Sequence, residues 1–201
     1  MKRMMVIVIG LFVFLSFISN SEAKVVKKVA KIEKDGELIS TDTGTHGNWK
    51  GRYGKEGAII IGDSEAKPKF LKEFVHSNTS AFTWAEKTDE VRGLMRESSE
   101  SRLASCWYSD KIMEFKVIPE SSRPFVLTMY FLDWDSNARV QSIELLNLKN
   151  DSILSKKDIR EFKDGVYLSW RIVGPVKIRI SNMGPSNGVV SGIFFEPALK
   201  K

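Results

Sequence analysis

Short apolar runs separated by clusters of turn-forming residues fill the sequence from residue 58 to residue 195. Apolar and charged residues alternate at 113–117 and at 176–180, which is the period of two of a strand with one face in water. Residues 125–132 are apolar on both faces, which is typical of a strand in the middle of a sheet. The runs predict strands at 58–61, 80–84, 102–108, 112–118, 125–134, 140–148, 166–173, 176–180 and 189–195.

Helical patterns are scarce by comparison. Only residues 87–96 have a composition that fits a helix, and residues 155–162 fit a single turn of helix. Many short strands without alternating helices favour two sheets packed face to face, with the jelly roll as the best single topology. The sequence therefore predicts an all-β fold, a single antiparallel β-sandwich over residues 41–197 that opens with a long ordered loop at 41–57.

The first 23 residues have the pattern of a secretion signal. Lys2 and Arg3 supply positive charge, residues 4–18 form an apolar run, and Ser21 and Ala23 offer small side chains at the two positions that a signal peptidase inspects. The run is shorter than the roughly 20 residues that span a bilayer, so cleavage before Lys24 is favoured over a retained anchor. We expect a secreted protein, or one of the periplasm or cell envelope, with no stable membrane span after cleavage.

The charge of the chain is modest and partly local. The formal net charge is +6, and residues 24–40 form a polar tail with five lysines at 24–34. A solvated tail or linker is the favoured interpretation, and attraction to an anionic surface is the alternative. No nucleic-acid partner is expected, because such a partner calls for basic residues spread along a face with stacking aromatics.

The chain has a single cysteine, Cys106, in the apolar run 103–108. It has no intramolecular partner, and nothing in the sequence identifies a base beside it, so we expect a buried free thiol. Export without disulfides favours a bacterial envelope or extracellular protein.

Two patterns in the sequence resemble parts of catalytic sites, but neither is complete. Ser64 ends a Gly-Asp-Ser segment similar to that of lipase-like serine hydrolases, but no histidine follows His76 to activate it. Asp133 and Asp135 are two residues apart on a tight turn, which does not place two carboxyl groups across a sugar ring. No catalytic residue and no cofactor is predicted.

The segment from Asp133 to Glu144 copies the acidic spacing of a calcium loop. Ala138 stands where such a loop needs glycine, and strands are predicted on both sides. A turn in which Asp133 or Asp135 pairs with Arg139 is favoured, so no metal site is predicted. A calcium-binding turn that uses Asp133, Asp135 and Asn137 stays open as the alternative.

Aromatic residues beside turns are the richest remaining feature. Indole and phenol rings stack on the C–H faces of sugars, and neighbouring Asp, Asn and Arg side chains bind the hydroxyls. The same rings also fill protein cores, which is favoured for Trp107 and Trp170 because they lie inside strand runs. For Trp49, Tyr53 and Trp84, in or beside loops, both interpretations remain open.

Eight groups of residues follow one another along the chain. They are Gly47-Asn-Trp-Lys-Gly-Arg-Tyr-Gly54, Ile61-Gly62, Asp89-Glu-Val-Arg-Gly-Leu94, Arg102-Leu-Ala-Ser-Cys-Trp-Tyr108, Tyr130-Phe-Leu-Asp-Trp-Asp135 with Arg139, Phe162 with Gly165-Val-Tyr-Leu168, Gly174-Pro-Val-Lys-Ile178, and Asn187-Gly-Val-Val-Ser-Gly-Ile-Phe-Phe195. In this order they resemble an accessory domain of exported bacterial proteins, often C-terminal in multi-domain chains that include glycoside hydrolases. The resemblance implies a galactose-binding-like or jelly-roll sandwich without catalytic function.

Together these observations favour a non-catalytic, exported module that binds a glycan or a cell-surface polymer. The alternative is a structural or protein-interaction module of the bacterial envelope, in which the aromatics are core and an exposed sheet face or edge meets a protein partner. The candidate ligand-binding residues are Trp49, Tyr53, Trp84, Arg92, Asp133, Trp134 and Arg139.

Overall fold

The computed structural model describes residues 35–197, which consist of strands joined by turns and loops. In chain order the strands are β1 (Glu37–Asp42), β2 (Gly57–Ile60), β3 (Ser64–Ala66), β4 (Leu71–Ser77), β5 (Ser80–Thr88), β6 (Leu94–Met95), β7 (Arg102–Ser109), β8 (Ile112–Pro119), β9 (Phe125–Phe131), β10 (Val140–Asn147), β11 (Ile153–Arg160), β12 (Val166–Ile172), β13 (Val176–Asn182), β14 (Gly188–Val190) and β15 (Gly192–Pro197). Within this range no segment forms a helix of the length and hydropathy that a membrane span requires. The predicted signal, its cleavage site and most of the lysine-rich tail lie outside the described residues.

The strands form three antiparallel sheets. The six-stranded sheet has the order β1-β12-β9-β15-β2-β3, the five-stranded sheet β11-β10-β13-β8-β4, and the smallest sheet β14-β7-β5, with β6 paired to β7. Every pair is antiparallel, so the predicted all-β class is confirmed.

The main core lies between the six-stranded and the five-stranded sheets. Alternate residues of β9 and β12, among them Leu127, Met129 and Trp170, share one apolar cluster with Phe115 of β8 and Ile178 of β13. This alternation is what two sheets produce when they pack face to face. Trp170 is 1% exposed, which confirms it as a core residue. Trp107 lies half-buried against the same cluster.

The other face of the six-stranded sheet is also covered. Its alternate residues, such as Tyr130, Tyr167 and Phe194, pack with Trp49 of the loop at 43–56 and with Leu94 of β6. A sheet buried on both faces needs strands that are apolar on both faces, and β9 is such a strand. This explains the continuous apolar run at 125–132.

Two segments differ from the sequence predictions of helix. Residues 87–96 contain the end of β5, a turn and β6, and residues 155–162 fall mostly in β11, which pairs with β10 from Arg160 to Ile153. Hydrogen bonds to neighbouring strands override the weak helical composition of both segments. The first strand begins at Glu37, inside the segment predicted as tail, and pairs with β12 at the edge of the six-stranded sheet.

The loop at 43–56 is fixed at both ends of its path. The Asp42 carboxylate accepts hydrogen bonds from the backbone amides of Gly44 and Thr45 and from the Tyr53 hydroxyl. The Gly47 amide donates to the Val91 carbonyl oxygen at 2.8 Å. The predicted loop is therefore ordered and acts as a cover over the sheet.

Glu196 of β15 links the end of this loop to the sheet. Its Oε1 accepts a hydrogen bond of 2.6 Å from the Gly54 amide, and its Oε2 lies 3.4 Å from the Thr128 hydroxyl. Burial raises the pKa of Glu196 from 4.5 to about 7, and these hydrogen bonds only partly oppose the rise. The folded chain therefore prefers the protonated carboxyl.

This preference gives the protein a pH-dependent stability. Below about pH 4.5 the carboxyl is protonated in both states, whereas between pH 4.5 and 7 only the unfolded chain releases the proton freely. We expect this group to lower the free energy of unfolding by about 1–3 kcal/mol as the pH rises through that window. Denaturant unfolding of wild type and Glu196→Gln at pH 4.5, 5.5, 6.5 and 8 measures it. The variant should match wild type at pH 4.5 and exceed it at pH 8; an equal difference at every pH would refute the assignment.

Candidate functional site

The loop between β9 and β10 is built on a buried carboxylate. Asp133 is fully buried, and its oxygens accept hydrogen bonds from the Ser136 hydroxyl at 2.9 Å and from the Arg139 amide at 3.2 Å. The Arg139 guanidinium lies 2.5 Å from Asp133 Oδ1. Asp133 thus stabilises the loop from within the protein and is too deeply buried to contact a ligand.

Arg139 connects this buried anchor to the surface. Its Nη1 contacts Asp133 and Asp135, each at 2.5 Å, and its Nε donates to the Asn187 amide oxygen at 3.0 Å. Burial lowers the pKa of Arg139, but hydrogen bonds and the charges of the two aspartates raise it above its ordinary value. The guanidinium therefore stays charged, 5.6 Å from the centroid of the Trp84 ring.

Asp135 is the exposed end of this arrangement, with 49% of its side chain accessible. Burial raises its pKa somewhat, but hydrogen bonds from Arg139 and Trp84 and the charge of Arg139 lower it below the ordinary value. Asp135 is therefore an ionised acceptor whose position is fixed by the Arg139 guanidinium.

The smallest sheet places aromatic rings beside these polar groups. Phe82 of β5 pairs with Cys106 of β7, and Ser80 pairs with Tyr108, so alternate residues of both strands share one face. Between this face and the β9–β10 loop lies a cleft of about 250 Å³. This aromatic cleft is lined by Phe82, Trp84, Cys106, Tyr108, Asp135, Arg139 and Asn187.

The rings of the aromatic cleft are accessible. Phe82 is 52% exposed, and its ring meets that of Trp84 edge to face, with centroids 6.1 Å apart and planes at 75°. Trp84 is half-buried, as is Tyr108. The cleft therefore offers apolar ring surface on one side and fixed hydrogen-bonding groups on the other.

Cys106 forms the floor of the cleft. It is free and 1% exposed, as the sequence predicts. Burial raises the pKa of the thiol to about 12, the positive charge of Arg139 opposing part of the rise. The thiol is protonated and packs as a small apolar group.

A second concavity of about 450 Å³ adjoins the cleft on the other side of Asp135. The Arg92 guanidinium lies 4.2 Å from the centroid of the Trp134 ring, donates to the carbonyl oxygens of Trp134 and Lys163, and pairs with Glu90 at 2.7 Å. This polar recess is lined by Glu90, Arg92, Trp134, Asp135, Ser136, Asn137, Lys163 and Asp164.

The structure brings together four of the seven predicted site residues around two adjoining surfaces. Trp84 and Arg139 line the aromatic cleft, and Arg92 and Trp134 line the polar recess. Asp133 lies beneath both and positions Arg139.

Trp49 and Tyr53 lie elsewhere. Trp49 is 5% exposed, packs on Phe194 with centroids 5.3 Å apart, and donates its indole N–H to the Met95 carbonyl. Tyr53 stacks on Tyr167 at 4.4 Å. Both belong to the packing beneath the loop at 43–56, because a large ring with one polar atom suits a core in which that atom finds a partner. The proposed site leaves them out.

The candidates named from the sequence did not include Phe82, Tyr108, Asp135 or Asn187, all of which line the aromatic cleft. Phe82 shares a strand face with Trp84, a signal that alternation along β5 contains once the strand is known. Asn187 stands 48 residues from Arg139, and only the folded chain brings their side chains together.

The two aspartates of the favoured turn pair with Arg139, which leaves the alternative calcium-binding turn without free carboxylates. Asp133 and Asp135 both bind Arg139, which occupies the position between them. Within residues 35–197, no three or more His, Cys, Asp or Glu side chains gather in a way that fits a metal ion.

No protein-family model and no curated protein sequence matches this chain. Among solved structures, the family 35 carbohydrate-binding module from Clostridium thermocellum has a TM-score of 0.38 at 10% identity, covering 71% of this chain and 99% of its own. The carbohydrate-binding module of lichenase 5A from Cellvibrio mixtus, in complex with cellotriose, has a TM-score of 0.39 at 10% identity over 72% of this chain and 98% of its own. A carbohydrate-binding and xylanase pair from Clostridium thermocellum, in complex with xylohexaose, has a TM-score of 0.38 at 7% identity over 83% of this chain and 29% of its own.

These neighbours are the class of accessory module that the sequence resembles, and one of them is joined to a glycoside hydrolase module. TM-scores below 0.5 mark a remote likeness, which assigns no ligand and no binding residue to this chain. Only the residues and geometry of the cleft therefore bear on what this chain binds.

Proposed function

We propose that this chain is an exported, non-catalytic module that binds a glycan or envelope polymer through the aromatic cleft. The observation that carries the proposal is the arrangement around Trp84: its ring meets the exposed Phe82 ring, in a cleft that it shares with the exposed carboxylate of Asp135 and with Arg139 and Asn187. We place the module outside the cell or in the periplasm or cell envelope, in keeping with the secretion pattern of residues 1–23.

A sugar is the ligand class that matches this mixture. Its ring has apolar C–H faces that pack on aromatic side chains, and its hydroxyls donate to carboxylates and accept from amides and guanidinium groups. Asp135 is already held by Arg139, so little side-chain freedom is lost when it accepts a hydroxyl.

The same groups argue against hydrolysis as the function. Glycoside hydrolysis typically takes two carboxyl groups across the bond, one of them protonated at neutral pH. Among the residues that line the aromatic cleft, Asp135 is the only carboxylate, and its pKa is lowered. The cleft is better suited to holding a sugar than to cleaving one.

Trp84→Ala is expected to raise the Kd of a bound oligosaccharide by about 10- to 100-fold, because it removes the stacking ring of the cleft. The measurement is isothermal titration calorimetry with soluble oligosaccharides of cellulose, xylan, mannan and chitin. Trp84→Phe, which keeps a ring, should retain much of the affinity.

Ile153→Ala serves as the matched control, since Ile153 is 57% exposed and outside the aromatic cleft and polar recess. Its affinity should equal that of wild type. Unchanged binding by Trp84→Ala would move the site away from the cleft. Failure of every glycan to bind would favour the alternative, a protein-interaction module of the envelope, to be tested by capture from envelope extracts.

A further inference from the structure

A third concavity continues the surface beyond the aromatic cleft. It has a volume of about 570 Å³ and is lined by Asn78, Ser80, Tyr108 and residues 109–112, at the hairpin between β7 and β8. We call it the hairpin recess. Tyr108 lines both the hairpin recess and the aromatic cleft, as Asp135 lines both the cleft and the polar recess. The cleft thus shares one lining residue with each recess, and we call the three concavities together the row.

The size of the cleft argues for a ligand that extends beyond it. Pockets that enclose a small molecule typically have about 300–1,000 Å³, and the cleft has about 250 Å³. The neighbouring recesses are both larger and both open. A ligand confined to the cleft would use a minor part of the concave surface.

Each neighbouring recess, like the cleft, combines apolar surface with hydrogen-bonding groups. The hairpin recess sets the Tyr108 ring and Ile112, which is 40% exposed, beside Asn78 and Ser80. The polar recess sets the Trp134 ring beside Ser136 and Asn137. Both recesses therefore place apolar surface next to hydroxyl and amide groups.

The acidic and basic residues that line the row are equal in number. The acidic residues that line it are Glu90, Asp110, Asp135 and Asp164, and the basic residues are Arg92, Lys111, Arg139 and Lys163. Both arginines are paired with carboxylates, Arg92 with Glu90 and Arg139 with Asp133 and Asp135. A row with no excess of positive charge gives a polyanion no electrostatic advantage.

We infer that the three concavities form one track that holds an internal segment of an uncharged polysaccharide, several sugar units long, with the central unit in the aromatic cleft. The inference rests on the proposed function and adds to it the length and charge class of the ligand. Successive units then contribute contacts at the polar recess and at the hairpin recess.

The test is a length series on the full chain. Calorimetry with oligomers of one to six units from cellulose, xylan, mannan and chitin is compared with oligogalacturonides of the same lengths. We expect the Kd of at least one neutral series to fall by about 30-fold or more from dimer to hexamer, and the anionic series to bind at least about 10-fold more weakly.

Two variants at the ends of the track locate the additional contacts. Trp134→Ala in the polar recess and Ile112→Ala in the hairpin recess should each raise the Kd of the hexamer by about 3- to 10-fold and leave that of the dimer unchanged. Trp84→Ala should weaken both lengths. Thermal unfolding confirms that each variant is folded.

The outcomes separate the two proposals. Equal affinity for dimer and hexamer, with no effect of either end variant, overturns the track and leaves glycan binding at the cleft intact. Tighter binding of the oligogalacturonides overturns the neutral class. No binding of any length overturns the proposed function and the track together.

Discussion

Replacing Arg139 by methionine is expected to lower the free energy of unfolding by about 3–5 kcal/mol. Arg139 is 4% exposed and lies against Asp133, which is 0% exposed. Methionine fills much of the same space without charge, so the variant leaves a buried carboxylate with no cation beside it. Urea or guanidinium unfolding followed by tryptophan fluorescence measures the loss.

Two further variants distinguish the buried charge from general damage to the loop. Asp135→Asn removes the exposed partner of the same guanidinium and should cost about 1 kcal/mol or less. Asp133→Asn combined with Arg139→Met removes the uncompensated charge and should be more stable than Arg139→Met alone. A double variant no more stable than the single one would show that the ion pair is not what holds the loop.

Replacing Gly165 by alanine is expected to cost about 2–4 kcal/mol. Gly165 has a φ of +85°, and a Cβ atom there would lie 1.8 Å from the Tyr130 hydroxyl oxygen. Tyr130 is fully buried, and its hydroxyl donates to the Arg92 carbonyl at 2.8 Å. The alanine must displace that ring, so the loss of stability should be accompanied by weaker binding at the polar recess.

Gly51→Ala is the matched control. Its φ of +75° is similar, but no heavy atom lies within 4 Å of the added Cβ. The free energy of unfolding of this variant should therefore fall only by the cost of the strained backbone, about 1–2 kcal/mol. Equal losses at the two positions, measured by denaturant unfolding, would show that contact with Tyr130 contributes nothing.

Each of the nine apolar runs contains a strand, but the run at 189–195 divides into β14 and β15, which belong to different sheets. Most of these strands have a buried face and therefore an apolar pattern, whereas β5 has no fully buried residue. The strands that the sequence did not indicate lie mostly at or near sheet edges: β1, β3, β4 and β11. Edge strands bury less, and β11 with its lysines and exposed Ile153 has little pattern to detect. These edge strands are defined by backbone hydrogen bonds to their neighbours, which leave no periodic pattern in the sequence.

Prediction of the candidate site was limited by a property of tryptophan. Trp49 and Trp84 both lie next to glycine-rich or polar segments, and both have an indole N–H that needs a partner. Trp49 donates it to the Met95 carbonyl of β6 beneath its loop, whereas Trp84 lines the aromatic cleft together with Asp135. The difference depends on which residues distant in sequence come to lie beside each ring, so residue type and neighbours along the chain do not reveal it.

The position of β15 constrains when the protein can acquire its structure. This last described strand is central in the six-stranded sheet, with β9 on one side and β2 on the other. Until residues 192–197 are available, β2 and β9 have unpaired edges and the two apolar clusters lack Phe194 and Phe195. Pairing of such distant segments is intrinsically slow. A nascent chain therefore cannot complete this sheet before β15 has been synthesised.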